Sequence, residues 1–578
     1  MRRAVITGVG CVSAAGLYPG GMWSNVLEGV TGLRRIEGFD STNFPVHVAG
    51  EVTGDPAAAV PKRVLLQTDR HTHHGLVAAD LALKDAGIEA GRLDPGRIGV
   101  VMANSLGGST FGEDQLAKLY TRGARHVSAY MAIALFYAAT VGQISIRHNL
   151  KGYAKTPVAD RAGGVLALGD ALRTITNGAL DVVLAGGCEA PVSPYALTSC
   201  IETGLVGHTN GEIAYRPFAG GDGYVIGEGG AVLVIEELQH AVRRGVPVYA
   251  ELVGFGHTFD GRDHMQPSAD GTQYARAISS ALDDAGIGAG DVGQVWVEGL
   301  GSAAQDDREL RALRKVFGDA LAGVRLVCTK PLYGHTLAAA GALETAMAAV
   351  AQRERSLPRA AFPTDGLPFI AEAGVAPSKH TVVLATGRGG INAAIVLAPF
   401  DEPVQKPVTA PEVEVTGIVA TVLVNATVAE TFDYVARTET WPVWQPALEN
   451  VTVTPPGRMA LGSEIDDVRH HMGLRIESKL KVEAFEEDSL IRIQSAGGRT
   501  TIDIAFAPLD TGTDVRVTID VDAGALPGFG GTELTQFLQR QTEILLASLK
   551  DTLEARGELY EALERWLPQT DDEPDADV

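Results

Sequence analysis

Asp222-Gly223-Tyr224-Val225-Ile226-Gly227-Glu228-Gly229-Gly230-Ala231-Val232-Leu233 sets four glycines ahead of an apolar run that continues through Val234-Ile235. A run without polar alternation, bounded by glycine, reads as a strand buried on both faces, and so as part of a sheet covered by helices. The same texture recurs at Ile98-Gly99-Val100-Val101-Met102, Val182-Val183-Leu184-Ala185 and Val382-Val383-Leu384-Ala385, with Ala/Leu-rich helical stretches between. The chain's 68 glycines collect at the ends of such runs, where an α/β fold turns strand into helix. Two strand starts look alike, Ala4-Val5-Ile6-Thr7-Gly8-Val9-Gly10 and Ala250-Glu251-Leu252-Val253-Gly254-Phe255-Gly256, each opening one half of residues 1–400 and suggesting an internal duplication.

Beyond that region the pattern changes. Residues 401–411 carry three prolines and no apolar periodicity, as a linker would. Period-two alternation follows at Leu474–Val482, Thr501–Phe506 and Val515–Val521, the mark of half-buried antiparallel strands. A long helix is then predicted, with Leu534, Leu538, Leu545, Leu549 and Leu553 on one stripe. Residues 412–565 therefore read as an α+β domain, and the acidic residues 566–578 as a disordered tail.

Composition narrows the function. The 578 residues (60.6 kDa) are 45% hydrophobic and 21% charged, which excludes general disorder and calls for more than one domain. A net charge of −23 opposes phosphate backbones and anionic lipid heads, so neither nucleic acid nor membrane is expected as a partner. No apolar run approaches the ~18–20 residues of a membrane span, and Met1-Arg2-Arg3-Ala4-Val5-Ile6 does not read as a signal peptide. Cys11, Cys188, Cys200 and Cys328 stand far apart without a CxxC pair, which suits a cytoplasmic chain with no disulfide framework, zinc site or other metal. His71, His73 and His74 have no acidic or cysteine ligand beside them in sequence and are expected on a helix surface.

Four segments in one order carry a family resemblance. Asp222–Leu233 resembles the DGFxxGEGAG stretch of β-ketoacyl synthases, and Lys330-Pro331-Leu332-Tyr333-Gly334-His335-Thr336-Leu337-Ala338-Ala339-Ala340-Gly341 their KxxxGHxxxAAG motif. Gly387-Arg388-Gly389-Gly390-Ile391-Asn392 resembles the GFGGTN loop, and Leu184-Ala185-Gly186-Gly187-Cys188-Glu189-Ala190 the AGGxEA strand end. The resemblance implies the thiolase fold, a duplicated five-layer α/β/α/β/α architecture, and a dimer.

Condensation on that scaffold needs a thiolate to hold the acyl chain and two neutral imidazoles to promote decarboxylation and stabilise the oxyanion. The thiol belongs at a strand-to-helix elbow, where the helix N-terminus lowers its pKa. Counting forward from Gly152 and backward from Gly169-Asp170 puts Arg161 there in both cases. A guanidinium stays protonated and is no nucleophile. The turn expected to hold the first catalytic histidine reads Val297-Glu298-Gly299-Leu300-Gly301-Ser302 and holds none; only Lys330 and His335 remain. Arg161-Ala162-Gly163-Gly164 and Glu298-Gly299-Leu300-Gly301 are similar to the corresponding stretches of the chain length factor, the ketosynthase β subunit of type II polyketide synthases. That likeness implies a heterodimer with a catalytic ketosynthase α subunit, an acyl carrier protein delivering the chain, a tunnel that limits polyketide length, and no cofactor. Arg161 stands where that family commonly has Gln; it could clamp a carboxylate or a partner residue, or form a salt bridge to Asp160 or another acid. Arg388, in place of the family's Phe, reads as a solvated or interface-paired cation, and Lys330 and His335 either as active remnants of the condensing site or as packed, hydrogen-bonded ones.

Residues 412–565 open with a strand, then Asn425–Val435 and Thr438-Glu439-Thr440-Trp441-Pro442-Val443-Trp444. This is similar to the START-like (SRPBCC) helix-grip superfamily, which includes polyketide cyclases and aromatases. Such a domain would act by orienting a poly-β-ketone and polarising its carbonyls. Arg475, Lys479 and Lys481 share one strand face, either lining the cavity or forming a charged exterior with Leu474, Ile476, Leu480 and Val482 inward. Trp441 and Trp444 are pocket candidates that equally read as packing anchors. The combined expectation is a polyketide assembly subunit: a chain-length-factor-like pseudo-synthase joined to a domain that binds or cyclises the polyketide intermediate. The alternatives are a purely ligand-binding or structural C-terminal domain, and a stand-alone decarboxylase or condensing enzyme.

Overall fold

The computed structural model describes residues 2–54, 56–89, 93–207, 215–362, 367–369, 373–400, 415–445, 448–471, 474–495, 500–509, 511–521, 538–539 and 541–555. The chain divides into two compact units, Met1–Lys406 and Pro407–Val578. The linker at 401–411 and the acidic tail lie outside the described residues.

The first unit is built on an eleven-stranded mixed sheet. Its first half holds β1 (Ala4–Ser13), β2 (Ile98–Ala103), β3 (Ala154–Lys155), β4 (Val182–Glu189) and β5 (Gly229–Glu237), in the spatial order β1-β5-β4-β2-β3. The second holds β6 (Ala250–Phe259), β7 (Val292–Trp296), β8 (Arg325–Val327), β9 (His380–Gly387) and β10 (Ile391–Ala398), in the order β6-β10-β9-β7-β8. The halves repeat strand for strand. They meet where β1 and β6 pair antiparallel, Val5 opposite Glu251, and the eleventh strand, Gly16–Tyr18, folds back on β1.

The repeated glycines explain why the two strand starts look alike. Helix α1 (Arg70–Asp85) crosses β1 so closely that a Cβ on Gly8 or Gly10 would stand 2.4 Å from Ala82 O or 2.0 Å from Ala78 O. After α2 (Gly163–Thr176) in the first half comes α3 (Thr272–Ala285), which crosses β6 in the same way: a Cβ on Gly254 or Gly256 would stand 2.2 Å from an alanine carbonyl oxygen, that of Ala281 or Ala277. Helix–strand contact at backbone distance allows no side chain there. Helix α4 (Ala340–Glu354) packs against α2 and is buried along the whole of Ala340–Gln352, so these two helices form the middle layer. A helix apolar all round belongs in such an interior.

One expectation fails on α1. His71 and His74 are buried rather than surface residues: His71 Nδ1 lies 3.0 Å from Asp69 Oδ1, and His74 Nε2 lies 3.7 Å from Glu228 Oε2. Burial, then the neighbouring His74, pushes His73 down to about 4. The acids that accompany these histidines come from the residue capping the helix and from a distant loop.

The second unit is a seven-stranded antiparallel sheet. Its strands are β11 (Val415–Val424), β12 (Leu448–Thr454), β13 (Glu464–His471), β14 (Leu474–Glu486), β15 (Leu490–Ser495), β16 (Thr500–Leu509) and β17 (Gly512–Val521), ordered β11-β17-β16-β15-β14-β13-β12. Helix α5 (Val428–Ala436) starts at a capping box in which Thr427 and Glu430 satisfy each other's backbone donors. Phe432 from α5 meets Phe485 and Phe506 edge-on at ring distances of 5.2 and 5.0 Å. Residues 541–555 are helical and bury Leu546, Leu549 and Leu553, whereas Leu534 lies outside the described residues. One apolar sheet face closed by helices is the helix-grip arrangement.

Candidate functional site

The elbow of the first unit is the 3₁₀ turn Asp160–Ala162, which leads directly into α2. Arg161 is only 3% exposed and points inward at the start of that helix. The partial positive charge of a helix N-terminus suits a thiolate and opposes a guanidinium. Carboxylates restore the balance: Arg161 Nη1 lies 3.0 Å from Asp160 Oδ2, and its Nε 3.7 Å from Glu298 Oε1. Burial pulls the Arg161 proton affinity down, but Asp160 and the other neighbours outweigh it, so the group stays cationic.

Glu298 leaves β7 on a loop pinned from below. Its backbone N–H and that of Gly299 donate to Glu309 at 2.8 and 2.9 Å, Gly301 N–H donates to Asp306 at 3.1 Å, and Tyr215 Oη donates to Gly299 O at 2.9 Å. The Glu298 side chain accepts from His335 Nε2 at 3.3 Å and stands 3.9 Å from Lys330 Nζ. Burial pushes the Glu298 carboxyl up; the His335 N–H, Lys330 and Arg161 outweigh it and hold it below its ordinary value of 4.5.

His335 is fixed by the stretch that opened the sequence reading. His335 N–H donates to Val225 O at 2.7 Å and Gly227 N–H donates to His335 O at 3.0 Å, while a Cβ on Gly227 would lie 2.4 Å from Tyr333 O. The His335 ring lies 4.8 Å from that of Tyr224. Leu337 N–H donates to His335 Nδ1 at 3.1 Å, so the neutral ring carries its proton on Nε2 and gives it to Glu298. Burial lowers the His335 pKa and keeps the ring neutral.

Lys330 is fully buried. Its Nζ donates to Val297 O at 2.9 Å and lies 3.7 Å from Glu344 on α4. Glu344 also accepts from Thr329 Oγ1 and Tyr333 Oη, each at 2.5 Å. Of the sequence-selected residues, Arg161, Glu298, Lys330 and His335 thus share one buried polar cluster. Arg388 sits at its rim, 40% exposed, with its backbone N–H on Asp160 at 2.8 Å and Nη2 at 3.6 Å. Leu300 does not join; it packs in an apolar cluster with Tyr215, Tyr224 and Leu337. Tyr224 and Glu344 were not selected from the sequence; Asp160, which the sequence offers as a salt-bridge partner of Arg161, also takes the Arg388 backbone N–H across 228 residues of chain.

Chemically this cluster is closed. The imidazole N–H is spent on a carboxylate, and a cation fills the nucleophile's place. All four cysteines are free and buried; burial pushes Cys188 and Cys200 up to about 12 and Cys11 and Cys328 higher still, so none offers a thiolate.

Outside the cluster the first unit exposes an apolar face. Leu116, Leu119, Tyr120 (83% exposed), Tyr130, Ile133, Phe136 (61%) and Tyr195 (60%) come from Ser109–Arg122, Tyr130–Phe136 and the helix Pro194–Ile201, which pack together. Between Ser109–Arg122 and Pro194–Ile201 runs an open groove of about 640 Å³, lined in part by Phe44, Leu116, Pro194 and Tyr195.

In the second unit, Trp441 and Trp444 are 3% and 2% exposed and meet edge-on at 6.5 Å. Trp441 Nε1 donates to Val435 O at 2.9 Å, which makes it an anchor. Lys479 and Lys481 point outward, 82% and 52% exposed at the side chain, with Val482 fully inside. The Arg475 side chain lies outside the described residues. Missed in the sequence were Asp467, 2% exposed, and Arg469, whose Nε donates to Asp467 Oδ2 at 2.6 Å. The signal was there: Ile465, Asp467 and Arg469 alternate along β13 with Ile465 fully buried, so period two puts the two polar residues on the inner face.

Among the described residues no helix is long and apolar enough to cross a membrane, and no group of three or more His, Cys, Asp or Glu is placed to hold a metal ion.

Comparisons with known proteins agree with the geometry. Residues 1–241 match the β-ketoacyl synthase N-terminal domain, 249–361 the β-ketoacyl synthase C-terminal domain, and 415–554 the family described as polyketide cyclase / dehydrase and lipid transport. The tetracenomycin polyketide synthase ketoacyl synthase beta subunit of Streptomyces glaucescens is 38% identical over 403 residues, covering 68% of this chain and 97% of that relative. The actinorhodin polyketide putative beta-ketoacyl synthase 2 of Streptomyces coelicolor is 38% identical over 406 residues, covering 68% and 98%. Among solved structures, the ishigamide ketosynthase/chain length factor superposes with a TM-score of 0.64 at 27% identity, covering 69% of this chain and 99% of that one. A type II polyketide synthase acyl-carrier protein in complex with its ketosynthase bound to the hexaketide matches with a TM-score of 0.64 at 27% identity, covering 69% and 100%.

Proposed function

We propose, from the premise that this chain belongs to the β-ketoacyl synthase family, that it is the non-nucleophilic β subunit of a polyketide ketosynthase heterodimer. Residues 1–400 act as the chain-length-factor-like domain, and residues 412–565, beyond a linker at 401–411, bind or cyclise the polyketide. The observation that carries this reading is the elbow itself: a buried arginine, paired to Asp160 and Glu298, where condensation requires a thiolate. A chain that cannot hold an acyl group must leave that step to a partner. Tyr120, Phe136 and Tyr195 supply an apolar face for it, and the groove beside them is where an elongating chain would run. The family's solved ketosynthase/chain length factor pairs and carrier-protein complex support a ketosynthase partner and carrier-protein delivery for this chain as well.

Tethering the second unit to the first raises its effective concentration near the product, which is the advantage of a fusion. The match of 415–554 to polyketide cyclases favours a ring-forming or chain-orienting role for it. The test is co-expression with a catalytic ketosynthase and carrier protein, followed by size measurement and product mass analysis. The expected result is a one-to-one complex that makes a polyketide no subunit makes alone, with its cyclisation altered on deletion of residues 412–578. Polyketide formation by the purified chain without a ketosynthase would overturn the reading.

A further inference from the structure

Residues 115–159 contain Lys118, Arg122, Arg125, Arg147, Lys151 and Lys155 and no aspartate or glutamate. In a chain of net charge −23 that is a sharp departure: at the overall rate of 71 acids in 578 residues, a stretch of this length would carry about five. The same stretch holds eleven of the twenty-two large apolar side chains exposed among the described residues, five of them Tyr or Phe. Exposed aromatic side chains and arginine without carboxylates are the composition of a subunit interface rather than of open surface.

The helix Ser109–Arg122 brings these features together. It packs against the turn Ala124–His126 and the short helix Met131–Ala134, with Tyr120, Arg122, Arg125 and His126 at its C-terminal end, where residues 121–126 are exposed without a break. Of the six cations, Lys118, Arg147 and Lys155 are met by Asp114, Asp80 and Asp170. Arg122, Arg125 and Lys151 have no carboxylate partner among the described residues. The helix dipole accounts for Arg122 in the last turn, but not for Arg125 beyond it or for the absence of acids as far as Ala159. Acids stand instead by the groove: Glu113, whose Oε2 accepts from Tyr195 N–H at 3.1 Å, and Glu202.

Two kinds of protein could cover such a face. A second copy would pair about a two-fold axis, which lays a patch against its own image. That brings cations together with no acid from the segment to receive them, and like charges facing across an interface suppress the pairing. A partner whose complementary apolar patch is bordered by carboxylates satisfies both features. We propose that Arg122 and Arg125 choose the partner: this face takes a ketosynthase surface bordered by carboxylates and rejects a second copy of this chain. This rests on the reading that a ketosynthase is the partner, and it adds the sign of that partner's surface and the reason the chain does not pair with itself. Charges at a rim act on encounter, whereas apolar anchors act on residence time.

The test combines sedimentation of the full chain alone with surface plasmon resonance against a catalytic type II polyketide ketosynthase. Each is run at about 0.01 M and 1 M salt, which takes the screening length from about 30 Å to 3 Å. Alone, the chain should be monomeric at low salt, and either high salt or the double variant Arg122→Gln, Arg125→Gln should move it toward a dimer. Against the ketosynthase the salt effect reverses: the association rate should fall about tenfold or more from low to high salt. Arg122→Glu, Arg125→Glu should lower the low-salt association rate about tenfold to a hundredfold and leave the dissociation rate within about threefold. Arg122→Lys, Arg125→Lys should keep the parental rate, which separates charge from shape, and Tyr120→Ala should instead speed dissociation. Both arginines are exposed and unpaired, so an unchanged thermal midpoint marks their variants as folded. A low-salt dimer of the parent, or an association rate indifferent to salt and to both arginines, would overturn the proposal. So would arginine variants that lose an acidic carrier protein and keep the ketosynthase. Failure of the parent to bind any ketosynthase is a different result, which sinks the underlying reading and the proposal together.

Discussion

Removing the charge of Glu298 is the most informative perturbation of the elbow. Glu298→Gln keeps the volume and still accepts from His335 Nε2, but it leaves Arg161 and Lys330 short of a carboxylate inside a site they cannot leave. Breaking one member out of a buried ion pair typically costs ~3–5 kcal/mol. Here the lower end applies, because Arg161 keeps Asp160 at 3.0 Å and Lys330 keeps Val297 O at 2.9 Å and Glu344 at 3.7 Å. At ~2.1 cal/mol/K per residue, a unit of residues 1–406 has an unfolding entropy near its midpoint of roughly 0.85 kcal/mol/K. A loss of ~3 kcal/mol therefore lowers Tm by about 3–4 °C. Differential scanning calorimetry of the full chain, following the transition of the first unit, reads this directly. The double variant Arg161→Gln, Glu298→Gln removes cation and anion together and should recover at least half of the loss. A Glu298→Gln midpoint within about 1 °C of the parent, or a double variant as unstable as the sum of its singles, would refute the coupling.

Other outcomes follow from the same geometry. The Glu298 carboxyl is held below its ordinary 4.5, so its contribution to stability is complete above that pH and is lost as pH falls through the lower folded value; acid titration of the parent should show a steeper loss below pH 4.5 than Glu298→Gln does. Asp306 behaves oppositely: burial, and then Glu309, push it up to about 7 from 3.8, so the folded state holds a proton that the unfolded chain releases, and stability falls as pH rises from 3.8 to 7. Asp306→Asn should flatten that slope in denaturant titrations run across the interval. Installing the missing thiol by Arg161→Cys should not yield an acylated subunit, since the His335 N–H remains spent on Glu298; intact mass after incubation with acyl donors should be unchanged, and a stable adduct would contradict this. Trp441→Ala should destabilise the second unit by about 3–5 kcal/mol, read as a lowered urea midpoint, whereas Lys479→Ala should fall within experimental error.

What the sequence disclosed and what it hid have a common physical basis. Glycine before an unbroken apolar run is a local signature, so the buried strands at 98–102, 182–185, 231–235 and 382–385 could be read directly, and the Gly8/Gly10 and Gly254/Gly256 pairs pointed to a repeat whose strand order the structure completes. Arg161 was located because its distance along the chain to flanking glycines is a local fact. Glu298 and Arg388 stood out by the motifs that hold them, but their meeting at the elbow was not legible, since they lie more than a hundred residues along the chain from Asp160 and Arg161. For the misplaced His74 of α1 the reason is the same, since Glu228 lies far along the chain, whereas Asp69 is only two residues before His71 and meets it because it caps the helix. Asp467 and Arg469 were overlooked beside the more conspicuous basic run of Arg475, Lys479 and Lys481, though strict alternation from Ile465 placed them on the inner face.

The central claim is that the condensing chemistry belongs to a partner and never passes through a covalent bond to this chain. Intact mass spectrometry of both subunits, after the complex turns over with malonyl-loaded carrier protein, measures this directly. The account predicts acyl mass increments on the ketosynthase alone and an unshifted mass for this chain. A thioester or ester adduct on any of its 578 residues would contradict it.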